Sequence, residues 1–183
     1  MSAPDPSLYA RLLGPDWERL PVRVRRLHGE GLARGHFTIQ RGTGPLAALV
    51  GWVCRFPPAG ARVPTRLAVR REGEGQRWER AFGAHALATR QEVWRGEQLV
   101  EWHGPVACVF RLCPEARGLR YEQVGAWLRL GPWRLPLPRL LAPRVEAWVT
   151  DAPEGMRVRV RIGAALVGAL LVYEGQVQPE EAA

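Results

Sequence analysis

The stretch LVEWHGPV (Leu99 to Val106) sets Glu101 and His103 two residues apart. In a strand both leave one face, with Trp102 on the other. Lining a cavity, a carboxylate beside an imidazole is a general acid–base pair. Facing solvent, or arginines on the next strand, the same two residues are ordinary surface. Further along, GLRYEQVGAWLRL puts Tyr121, Gln123, Gly125 and Trp127 on one alternating face. A mixed polar and aromatic face suits a cavity lined by apolar bodies and a few polar tips. It suits an amphipathic outer surface equally well.

Other chemistries find little support. No GxGxxG follows a strand, and a chain without lysine cannot carry a phosphate-binding GxxxxGK[ST]. RGTG (Arg41 to Gly44) before a helix reads as a plain turn rather than an anion site. Serine occurs only at Ser2 and Ser7, and no GxSxG is present, which argues against serine hydrolysis. His28, His36, His85 and His103 fall in four separate elements, so neither a metal site nor a cofactor is expected. Cys54, Cys108 and Cys113 form no CxxC pair. Cys108 and Cys113 are five apart and would face opposite sides of a strand, so a reducing cytoplasm is the expected setting.

The net charge of +8 comes entirely from arginine, beside abundant Ala, Gly and Pro. That pattern fits a coding bias better than selection for phosphate, and nucleic acid is not expected as a partner. The apolar run PLAALVGWVC (Pro45 to Cys54) is far short of the eighteen or so residues that span a bilayer. The first twenty residues lack the basic and apolar regions of a secretory leader.

The elements that must position these residues are mostly strands. PSLYARLLGPDWERLPVRVRRLHG reads as helix, break at Gly14-Pro15, then a second helix capped by Asp16 with Pro21 near its start. RGHFTIQR is a first strand. GPLAALVGWVCRF is a helix, apolar all round, expected to be buried as a lid or plug. From Arg62 the chain alternates with period two. One hairpin turns at Gly73-Glu74 with Val69 opposite Trp78, and another turns at Gly96. RVEAWVTDAPEGMRVRVRI forms a third, with Asp151 opposite Met156. That register puts Trp148 beside Arg159 and Glu146 beside Arg161, as a cation–π pair and a salt bridge. LRLGPWRLPLPRLLAPRVEAW holds Pro132, Pro136, Pro138 and Pro143. It reads as a rigid crossover or edge, with one helical turn over Pro138 to Leu141. The fold class expected is mainly β: a strongly curved antiparallel sheet or barrel of about ten strands, with N-terminal helices and one inserted apolar helix. Residues 1–178 are expected to form one unit and 179–183 a frayed tail.

From LYARLL to LLVYEG, almost the whole chain resembles the bacterial family known as domain of unknown function 4166. The stretches that carry the resemblance are LPVRVRRLHG, ARGHFTIQRGTGPLAALV, FPPAG, RWERAFG, LVEWHGPV, GPWRLPLPRLLAPRVEAW and VGALLVYEG. Relatives occur alone, within some membrane proteins, and behind NAD(P)-binding domains of saccharopine-dehydrogenase-like or short-chain-reductase-like type. The resemblance therefore implies an oxidoreductase as a partner acting in trans, and it carries over no established catalytic residues. The positions it matches are Glu101, Gly104, Pro105, Pro136, Pro138, Pro143, Tyr173 and Gly175. His103 stands where an aromatic or leucine is expected, which argues against a family-wide catalytic role for it.

Three function classes follow. The first is a non-enzymatic domain holding an apolar or amphipathic, lipid-like ligand in the concave face of the sheet. Its contacts would be drawn from Glu101, His103, Tyr121, Trp127, Trp133, Arg139 and Tyr173. The second is an accessory module acting with an NAD(P)-dependent oxidoreductase. The third is an enzyme using Glu101 with Tyr121 or Tyr173. Trp133, Leu135 and Leu137 with Arg134 and Arg139 also have the character of a peripheral membrane contact.

Overall fold

Proline and glycine punctuate the start of the chain, and the structure, a computed structural model that describes residues 7–180, follows that punctuation closely. Helix α1 (Leu8–Leu13) is capped by Ser7, whose hydroxyl accepts from the Ala10 N–H, and ends at Gly14 with φ 52°. Then come α2 (Asp16–Arg19) and α3 (Val22–His28). The expected single second helix is two. Pro21 pushes Leu20 into extended geometry at ψ 145°, which breaks the helix and restarts it.

Strand β1 (Gly31–Arg41) leads into α4 (Pro45–Val53). There follow β2 (Gly60–Glu72), β3 (Gly75–Phe82), β4 (His85–Trp94), β5 (Gln98–His103), β6 (Val106–Glu115) and β7 (Gly118–Leu130). The last four are β8 (Trp133–Pro136), β9 (Pro143–Ala152), β10 (Gly155–Ala164) and β11 (Gly168–Pro179). All pairings are antiparallel. Each strand from β1 to β7 pairs with the next, β7 goes on to β9, and β11 returns to β1. The result is a closed ten-stranded barrel, with β8 attached to β7 as an eleventh strand. At the closing seam a Cβ on Gly175 would lie 2.1 Å from the His36 carbonyl oxygen, and one on Gly35 1.8 Å from that of Gln176. Only glycine admits backbones this close.

The expected hairpin registers are observed, with Val69 opposite Trp78 and Asp151 opposite Met156. The side-chain partners differ. Arg159 turns from Trp148 toward Glu174 on β11, at 3.4 Å, and Arg157 joins it there. A carboxylate at that range outweighs a ring face on the other neighbour.

Helices α1 to α3 cover one end of the barrel, which we call the closed end. The turns 73–74, 95–97, 116–117 and 153–154 lie there. The opposite end, the mouth, carries α4 and the connections 83–84, 104–105, 131–132, 137–142 and 165–167. Helix α4 is not the buried plug its composition suggests. It rests on Ala47 and Gly51, so close that a Cβ on Gly51 would meet the Arg41 guanidinium, and it turns Leu46, Leu49, Trp52 and Val53 outward. Small residues permit the approach; the large ones do not fit between helix and barrel. As expected, the proline stretch makes an edge strand and then one turn, with the Leu141 and Ala142 N–H groups both donating to Pro138 O.

Strand β7 departs from strict alternation. Val109 pairs with Gly125 but Phe110 with Gln123, so Val124 is an extra residue that bulges. Tyr121 and Gln123 face inward, whereas Trp127 emerges on the outer face with Trp94. The single face expected for Tyr121 to Trp127 is therefore split by the bulge. At the same point β9 leaves β7, and β8 takes its place from Trp127 onward. Gln123 fills the gap in the ladder: its Oε1 accepts from the Val145 N–H at 2.6 Å, and its Nε2 donates to Pro143 O at 2.8 Å. The side chain acts as a missing peptide group. Replacing it by leucine strands one donor and one acceptor, so Gln123→Leu is expected to lose about 1–3 kcal/mol of stability in denaturant unfolding. A change within a few tenths would show that Gln123 does not hold the junction.

Candidate functional site

Three inward side chains on consecutive strands form a polar group inside the barrel: Arg80 on β3, Thr89 on β4 and Glu101 on β5. Arg80 Nη1 donates to Thr89 Oγ1 at 2.7 Å and Nη2 donates to Glu101 Oε1 at 3.1 Å, while Thr89 Oγ1 donates to the same Oε1 at 2.6 Å. The arginine and glutamate side chains keep 13% and 21% of their exposure, so the interior here is open to solvent. Burial pushes the Arg80 guanidinium down, Glu101 together with Tyr173 and Tyr9 raises it, and the net shift is upward, so Arg80 stays charged. Of its five N–H donors the remainder have no acceptor among the described residues. Tyr173 on β11 joins this region, its ring against Phe37 and Phe82 with centroids 5.7 and 5.4 Å away. Its hydroxyl has no hydrogen-bond partner among the described residues; burial pushes its pKa up against the pull of Arg80.

The wall facing this group is apolar. Val145 and Ala147 on β9, with Val158, Val160 and Ile162 on β10, are only half-buried. The interior at the closed end is sealed instead, and Leu99, Leu119, Met156 and Val177 have almost no exposure. His103 lies at the mouth, its Nε2 2.8 Å from Cys54 O, and His85 Nε2 lies 2.7 Å from Arg55 O. The two imidazoles tie the chain after α4 across the mouth from β11 to β4 and β5, which is a structural task.

Tyr121 is at the closed end, in a hydrogen-bonded chain with Tyr9, His28 and Gln91. Tyr9 Oη lies 2.8 Å from Gln91 Oε1 and 2.9 Å from Tyr121 Oη, which is 2.7 Å from His28 Nε2; His28 Nδ1 is 2.7 Å from Val24 O. Counting protons orders the chain. With Tyr9 donating to Gln91 Oε1, Tyr121 must donate to Tyr9, so both His28 nitrogens must donate and the ring is a cation. A neutral ring, donating from Nδ1 to Val24, accepts from Tyr121 at Nε2. The chain then runs the other way, with the Gln91 amide turned to donate to Tyr9. Complete burial favours the neutral ring and lowers the His28 pKa to about 4, with the Val24 bond opposing. Burial likewise pushes both tyrosines well up, so neither serves as a base. Glu101 and Tyr121 each have other hydrogen-bond partners, and no hydrogen bond joins the two among the described residues.

Three of the sequence candidates are outside the barrel. Trp127 packs over an outer apolar cluster of Val100, Trp102, Ala107 and Val109. Trp133 is 70% exposed, and Arg139 is exposed in the turn before β9. Sequence reasoning missed Arg80, although RWERAFG alternates Trp78, Arg80 and Phe82, and a lone cation on an inward apolar face is a readable signal. It also missed Tyr9 and His28, which no local pattern connects. Burial raises all three thiols, Cys108 to about 12, so none is a ready nucleophile. An open recess of about 810 Å³ lies on the outside of the barrel beside Arg34, His36, Arg66 and Gln176, walled by solvated side chains. No group of three or more metal-ligating side chains occurs among the described residues, and no described helix is long and apolar enough to cross a membrane.

Among known protein families, the model described as domain of unknown function (DUF4166) matches residues 20–177. No curated protein matches the chain.

The His28 chain gives a pH dependence of defined sign. The ring binds its proton less readily folded (about 4) than unfolded (6.5), so its contribution is complete above pH 6.5 and is lost as pH falls toward 4. Stability should fall by up to about 1.4 kcal/mol per pH unit across that window. His28→Gln should flatten the slope. An equally steep profile in the variant would remove His28 as its source.

Proposed function

The chain belongs to the family described as domain of unknown function (DUF4166), and for it we propose a binding role: the half of the barrel nearest the mouth takes an apolar or amphipathic, lipid-like ligand. The observation that carries this reading is the uneven filling of the interior. Eight strands enclose about the width that side chains fill, and ten enclose more. At the closed end the surplus is taken up by Tyr9, Leu12, Val24 and Leu27 from the helices. Toward the mouth, Val145, Ala147, Val158, Val160 and Ile162 are left half-covered.

The polar group suits the head of such a ligand. The spare N–H donors of Arg80 and the Tyr173 hydroxyl, unpartnered among the described residues, both favour an acceptor such as a carboxylate, phosphate or carbonyl. Thr89 and Glu101 hold the guanidinium in position, so that few rotamers are lost when it is engaged. Apolar chain against β9 and β10, polar head between β3 and β11: this division matches the two chemistries of the lumen. Glu101 and Tyr173 have parts in it, and His103 supports the rim.

Titration with a dansyl-labelled undecanoic acid tests the reading. The free protein should brighten and blue-shift the dansyl emission, Val160→Trp should abolish that response by filling the lumen, and Tyr173→Phe should weaken binding by about tenfold. A full response from Val160→Trp with a native circular-dichroism spectrum would overturn it.

A further inference from the structure

The two ends of the barrel differ in chemistry. Of the fourteen large apolar side chains exposed among the described residues, ten lie at the mouth end, on α4, on β7 and β8, and in the connections that follow. Helix α4 is the clearest case, because it inverts the usual amphipathic order. Its small residues face the protein, and Leu46, Leu49, Trp52 and Val53 face out, Trp52 at 78% exposure. Trp133, Leu140, Leu141 and Leu166 extend the apolar surface around the rim. A patch of this extent marks a surface that meets another apolar phase.

Charge is divided along the same axis. The segments 42–59, 83–84, 104–105, 131–132, 137–142 and 165–167 at the mouth contain no acidic residue, whereas Glu30, Glu74, Glu97 and Glu154 sit in turns at the closed end. Arg55, Arg62, Arg129, Arg134, Arg139 and Arg144 are exposed at the mouth end, and none forms an ion pair among the described residues. Toward the closed end several arginines are neutralised, Arg11 by Glu74, Arg23 by Asp151, Arg34 by Glu180 and Arg120 by Glu115, while Arg26, Arg95 and Arg117 are exposed there without an ion pair among the described residues. Arg129 and Arg134 lie over the Trp102 ring at 5.2 and 5.4 Å, which positions their charge without cancelling it.

From this arrangement we propose that the mouth end docks on an anionic lipid surface. Leu49, Trp52, Trp133 and Leu140 enter the acyl boundary, and the unpaired arginines contact the headgroups. Charge selects this occupant over a second copy, since mouth-to-mouth dimers would oppose six free arginines on each side. It also fits better than nucleic acid, which offers nothing to bury the leucines. The proposal does not depend on the lumen holding a ligand, and vesicle binding is read without one.

Flotation with phosphatidylcholine vesicles, with and without phosphatidylglycerol, tests it. The protein should float with the mixed vesicles, with a blue shift in tryptophan emission, and weakly with phosphatidylcholine alone. Arg134→Gln and Arg139→Gln should each lower partitioning roughly fivefold. The double variant Leu49→Asp with Trp52→Asp, both sites being exposed, should lose flotation at an unchanged melting temperature. Val22→Asp, on the exposed face of α3 at the closed end, should float like the parent. Failure to float with either vesicle, equal flotation of the double variant, or a dimer in solution abolished by that double variant would each overturn the proposal.

Discussion

A closed ring of ten strands encloses more space than its own inward side chains fill, and most features of this molecule answer that constraint. At one end the answer is a plug. Three short helices, broken twice by proline and glycine, bend over the opening and send Tyr9 and His28 into it. Polar atoms carried so deep need partners, so Gln91 and Tyr121 reach from the strands to complete a hydrogen-bonded chain. Toward the other end no comparable filler enters. There an ion pair, braced by the buried Thr89, keeps some contact with solvent opposite a wall of valines.

Closing the ring also strains its connections. Between β1 and β11 the backbones are so near that Gly35 and Gly175 admit no side chain. Between β7 and β9 the opposite happens: the strands part after Glu122 and Glu146, and a glutamine amide replaces the absent peptide. The Val124 bulge at this junction lets one strand line the lumen with Tyr121 and brace an outer tryptophan cluster with Trp127. One seam is tightened by removing side chains, and the other is spanned by adding one.

The strands and hairpins were legible in the sequence because short turns lock register and alternation locks face. Asp151 opposite Met156 followed from the turn residues Asp151 to Gly155 and the alternating apolar face on either side of them. The bulge was not legible: GLRYEQVGAWLRL alternates without a break, and only the small Gly125 hints that the ladder slips there. Helix α4 was read from composition, which says apolar and hence buried. The spacing of Ala47 and Gly51 held the better signal, since a face of small residues is the one that can approach a barrel. Glu101 was set on the face opposite Trp102, but alternation alone left open whether that face turned inward, and its partners come from two other strands. The Tyr9–His28–Tyr121 chain joins residues whose proximity exists only once the ring is shut.

That last point bears on how the chain acquires its structure. Tyr9 meets partners 82 and 112 residues away, and β1 finds its second neighbour only in β11, the final strand. Until β11 is synthesised, β1 keeps an unpaired edge and the apolar face of the helices has no chamber to enter. Contacts of such sequence separation form slowly, because loop closure must precede any stabilising gain. Helices α1 to α3, which precede every strand of the barrel, are thus among the last elements to be enclosed, and the interval between is when the chain most needs shielding from its neighbours.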